Sequence, residues 1–192
     1  MNATGAPEIE MLAVELDANE RDARALVEGL TEAQGTARQA PDAWSVAECL
    51  DHLATANRVY LEAMRQPAAA ALSGGRMRRR PALPGAIGGW FARSLEPPVK
   101  RGRKTKAPAK IRPRVGPPLA DAFVAFLASQ NDVRAFLQTY SGIDLASVRF
   151  PNPFIPWVRF SLATGLHVIT AHERRHLWQA QRAREAALAA RQ

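Results

Sequence analysis

The chain is expected to be all-α: a four-helix bundle with a long basic crossover between the second and third long helices. Three observations lead there. Four separate stretches repeat apolar residues at helical spacing, and the breakers cluster between those stretches. Residues 67–117 hold eight of the fourteen prolines and separate the second stretch from the third. A chain of 192 residues with 47% apolar and 23% charged content suits one domain with a substantial core.

The first helix reads from about Pro7 to Gln34, with Leu12, Leu16, Ala23, Leu26 and Leu30 near one face and Gly35 and Pro41 ending it. The second starts at Ser45. Ser45 and Glu48 stand at the spacing of a capping box, in which each satisfies the other's free amide. Trp44, just before the cap, is placed to staple against Cys49. This helix runs to about Met64, with Cys49, Leu53, Ala56 and Tyr60 inward.

Inside the crossover, Ile87 to Leu95 reads as a short helix that lays Trp90 and Phe91 on the bundle. A third long helix follows from about Pro118 to Thr139, carrying Leu119, Phe123, Phe126, Leu127, Val133, Phe136 and Leu137. Ser141 to Pro156 is expected to be a loop that packs through Phe150, Phe154 and Trp157. The last helix spans about Val158 to Ala190.

The net charge of +8 is concentrated. Between Arg76 and Arg114 there are thirteen Lys or Arg against one acid, Glu96, so the remainder of the chain is mildly acidic. No stretch is long and apolar enough to span a bilayer, and the N-terminus shows no secretory pattern, so a cytoplasmic location is expected. The one cysteine, Cys49, excludes an internal disulfide and a cysteine-rich zinc site. Any metal here relies on histidine and oxygen ligands.

His172 and His176 are one turn apart in the last helix. Residues four apart share a face with Cβ atoms about 5–6 Å from each other, so two ring nitrogens can converge on one ion. Both lie on a stripe with Gly165, Gln179 and Ala183, while Arg174 and Arg175 fall off it. His167 is nearly opposite His176 and is not expected to join them. Two ligands hold a metal poorly, and periodicity alone leaves the third open.

The segment also spells His-Glu-x-x-His, the ligand pair of many metalloproteases. Their compact extension would require Gly at 179 and His at 182, where this chain has Gln179 and Arg182. Glu185, nine residues on along the same helix, is about 13 Å away. A protease is therefore not expected.

Two segments, Ala40 to Leu53 with its Trp44-Ser45 start and His52, and His172 to Gln179, together resemble the DinB-like superfamily. The resemblance covers nearly the whole chain, the basic crossover least. It implies a four-helix bundle, often dimeric, with a divalent metal held by His52, His172 and His176. It also implies relatives that are thiol-dependent transferases and isomerases, in which the metal activates a thiol cofactor.

Three neutral imidazoles leave a coordination position open, as catalytic sites do. The expected function is a metal-dependent thiol transferase or hydrolase acting on a small molecule, with zinc or nickel as the ion and a low-molecular-weight thiol as a further cofactor. Gln179 is placed to support a ligand or substrate, and Glu48 to orient His52, although its capping role competes. Glu173, about 100° off the ligand stripe, is a weaker candidate base, and Cys49 reads as a core filler. The alternative is a non-catalytic bundle that binds nucleic acid or an anionic partner through the crossover. Ligation is expected to fade as pH drops through the ordinary imidazole range near 6.5.

Overall fold

Apolar stripes on four long helices meet as expected in the computed structural model, which describes residues 6–98, 107–155 and 157–190. In chain order the helices are α1 (Pro7–Val27), α2 (Glu32–Thr36), α3 (Val46–Ser73), α4 (Ala86–Arg93), α5 (Leu119–Tyr140) and α6 (Leu162–Ala189). A 3₁₀ turn, Ala109–Ile111, precedes α5. The long helices α1, α3, α5 and α6 form the bundle. α3 packs against α5 and α6, and α1 packs against the same two, which puts α1 and α3 at opposite corners.

The first expected helix is in fact two. Gly29 takes φ +71°, a left-handed conformation that ends α1 without penalty only at glycine. Thr31 then restarts the chain with its own capping box to Gln34. At α3 the box between Ser45 and Glu48 forms as its spacing predicts. That helix outruns its expected end and continues through Pro67 to Ser73. Ala68 and Ala71 are buried against the core, so packing outweighs the one backbone donor that proline lacks.

Two further expectations need correction. The loop before α6 contains a small antiparallel pair, β1 (Arg149–Pro151) with β2 (Arg159–Ser161), in which Phe150 faces Phe160. Phe150 is buried and Phe154 packs against the core, but Trp157 is 85% exposed. On α4, Phe91 packs on Phe160 with ring centroids 5.2 Å apart, whereas Trp90 is 65% exposed. Among the described residues no helix is long and apolar enough to cross a membrane.

The interior divides into two apolar cores. One gathers Leu12, Leu16, Tyr60, Leu61, Met64 and Phe150 with their neighbours, the other Leu26, Leu50, Leu53, Phe126 and Leu177. Between them, at one level of the bundle, lies a buried polar layer. Asn19 of α1, Asn57 of α3, Ser129 and Gln130 of α5, and Glu173 of α6 are each no more than 1% exposed. Asn19 Nδ2 donates to Glu173 Oε2 at 2.8 Å and Asn57 Nδ2 to Oε1 at 2.7 Å. Asn57 also donates to Ser129 Oγ at 3.1 Å. One carboxylate thus ties α6 to both opposite corners of the bundle.

Replacing Asn57 with leucine strips a donor from a buried carboxylate. Asn57→Leu is expected to lower unfolding free energy by about 2–4 kcal/mol in urea titrations. Adding Glu173→Gln, which removes the buried charge, should return part of that loss.

Candidate metal centre

The capping box fixes where α3 begins and so the phase of His52, two turns in. The polar layer fixes the phase of α6, because Glu173 can point at Asn19 and Asn57 only if His172 and His176 turn toward α3. The result is a cluster in which His52, His172 and His176 each offer a ligand atom, all within 4.8 Å of one another. Ring centroids are 5.0 Å apart for His52 and His172, 4.4 Å for His52 and His176, and 4.6 Å for His172 and His176. His52 is 1% exposed, His176 9%, and His172 is partly buried, the least covered of the three.

Two of the rings are held by an outer acceptor. His52 Nδ1 meets the carbonyl oxygen of Ile111 at 2.5 Å, and His176 Nδ1 meets Gln179 Oε1 at 3.0 Å. Both partners are oxygens that only accept, so Nδ1 carries the proton and Nε2 keeps its lone pair in each ring. His52 Nε2 lies 3.3 Å from His172 Nε2. Two nitrogens bound tetrahedrally to one ion at 2.0–2.1 Å stand about 3.3 Å apart. Spacing and tautomers thus fit a divalent ion.

Protonation opposes ligation, and burial opposes protonation. Desolvation lowers the pKa of all three rings, and for His172 and His176 the neighbouring rings and the Arg175 charge push further. His172 is brought down to about 3. The three imidazoles are therefore neutral well below the range of a free histidine, and the expected fading near 6.5 moves to lower pH. Trp44 covers the cluster, its ring 4.7 Å from His52 and 5.5 Å from His176. It packs on the core that includes Cys49, but its ring faces are spent on the histidines.

Gln179 is where the helical stripe put it. Glu48 is not beside the His52 ring: its carboxylate accepts from the Ser45 amide and pairs with Arg38, and both oxygens are spent there. Glu173 is sealed in the polar layer at 0% exposure. Burial pushes its carboxyl above the ordinary range against the amides of Asn19, Asn57 and Gln130. Both its oxygens are engaged in that layer. Cys49 is buried and desolvation raises its thiol far above the usual range. His167 stays apart from the triad.

The crossover proved to be part of the site. Ile111 is buried, and Asp51, next to His52, takes the Arg114 amide at 2.8 Å and its guanidinium at 2.8 Å. Arg78 pairs with Glu8 and Arg80 with Asp144, so several crossover arginines are spent within the chain. Lys100, Arg101, Arg103, Lys104 and Lys106 lie outside the described residues. Acceptance by a main-chain carbonyl leaves no residue-type signal, so Ile111 was not legible in advance. Asn19 and Asn57 were missed as well, although both sit at core phase within otherwise apolar stripes, a signal that could have found them.

A family model described as the DinB superfamily matches residues 15–180. No curated protein and no solved structure gives a significant match.

Metal-free protein should lose stability on mild acidification. Above about pH 6.5 the rings are neutral folded and unfolded alike; below it the unfolded chain takes up protons that the folded rings, with lowered pKa values, refuse. Thermal midpoints should therefore fall between pH 7 and 5, and fall less in His172→Gln. Separately, Asp51→Ala, which frees the segment holding His52, should weaken zinc affinity about tenfold in competition titrations.

Proposed function

The chain belongs to the DinB superfamily, and we propose on that premise that it is a divalent-metal-dependent enzyme acting on a small molecule, as a thiol transferase or a hydrolase. His52, His172 and His176 are the ligands in this reading. The observation that supports it is the convergence of three desolvated imidazoles, each with its pKa lowered, on ligand atoms within 4.8 Å of one another. A bound ion supplies a Lewis acid toward an oxygen or sulfur nucleophile. Imidazole donors suit zinc or nickel.

The chain's own residues do the positioning. The Ile111 carbonyl and Gln179 hold two rings in the tautomer that presents Nε2, and Trp44 closes one flank against water. His172 forms the rim through which substrate approaches. Cys49 is too buried to serve as a nucleophile, so a thiol comes from a separate small molecule. The internal pairing of Arg78, Arg80 and Arg114 favours this reading over an anion-binding scaffold built on the crossover.

Elemental analysis of tag-free protein should find about one divalent ion per chain, and His52→Ala should lose it. Wild-type protein without metal, or His52→Ala with full occupancy, would end the proposal. Thiol-addition and ester-cleavage screens, run with and without chelator, should give turnover that chelation abolishes.

A further inference from the structure

Arg174 and Arg175 are adjacent on α6 and meet different fates. Arg174 is saturated: its guanidinium pairs with Glu96 at 2.6 Å and with Glu15 at 3.2 Å. Arg175 is partly buried, yet among the described residues no carboxylate pairs with it and no hydrogen bond engages its side chain. A guanidinium presents five donors in a fixed fork, and none of the Arg175 nitrogens is sealed from solvent, so an anion can reach them.

Position says where that anion would come from. Arg175 is three residues after His172 and one before His176, so it shares a flank of α6 with His172, the least buried histidine of the cluster, and its charge acts on both rings. The acids nearest the cluster are committed elsewhere: Asp51 to Arg114, Glu48 to Arg38, and Glu173 to the asparagines.

We propose that Arg175 is the anion-recognising residue of the three-histidine site, so that the substrate carries a carboxylate or phosphoryl group. The inference rests on the metal-dependent reading above. The guanidinium grips that group bidentately and turns the reacting part of the molecule toward the histidines. It also explains a positive charge beside a centre whose own ligands are all neutral.

Cobalt-loaded protein tests this, because the visible absorption of the ion reports on its surroundings. Acetate and inorganic phosphate are titrated separately into wild type, Arg175→Gln and Arg175→Lys, with cobalt content and thermal midpoint measured for each. Wild type should give a saturable spectral change with at least one anion. Arg175→Gln should bind that anion at least tenfold more weakly at unchanged cobalt content, with Arg175→Lys between them. The better probe separates a carboxylate substrate from a phosphoryl one. Equal affinity in wild type and Arg175→Gln, or no anion response in cobalt-loaded wild type, overturns the assignment while leaving the metal centre intact. If Arg175→Gln does not fold, equal affinity in Arg175→Lys overturns it. Failure of wild type to take up cobalt removes the metal reading and this one with it.

Discussion

The arrangement depends on one buried carboxylate. Glu173 accepts from asparagines on two helices that do not pack against each other, and so it fixes the rotation of α6 about its own axis. An apolar seam would tolerate small rotations, since dispersion contacts are non-directional, but a hydrogen-bonded carboxylate does not. The layer costs stability through desolvation of a polar group, and in return the histidines one residue before and three after Glu173 face α3. Specificity of packing and construction of the site are one device here.

The second constraint comes from outside the bundle. The segment between α3 and α5 has the composition of a linker, yet its 3₁₀ turn enters the core through Ile111 and is tied down by Asp51 and Arg114. Asp51 and His52 are neighbours, so one turn of α3 anchors the segment and presents the imidazole the segment supports. A bundle alone would supply three rings with only Gln179 to orient them.

The helices, the Ser45 cap and the pairing of His172 with His176 were legible because periodicity and capping chemistry are local. His52 was not, taken alone: a single histidine on a helix has many uses, and only the resemblance of two distant segments joined it to the others. The split at Gly29 was missed because Leu30 continues the apolar pattern beyond the break. The small strand pair is three residues on each side, too short to display an alternation. Glu48 was misjudged in one respect: Ser45 and Arg38 hold its carboxylate at the helix start, and the His52 ring finds its acceptor in the Ile111 carbonyl instead. Trp44 carried a plausible staple reading, but its ring also meets His52 of α3 and His176 of α6, and the second of these is a partner that local spacing cannot name.

Because the Ile111 carbonyl meets a ring nitrogen of His52, any ion held by the three histidines would be thermodynamically linked to docking of the crossover. Whatever factor a docked crossover adds to ion affinity, a bound ion must return to the docking equilibrium. A molecule that grasped the basic segment and drew it away would therefore loosen the ion without touching a single ligand.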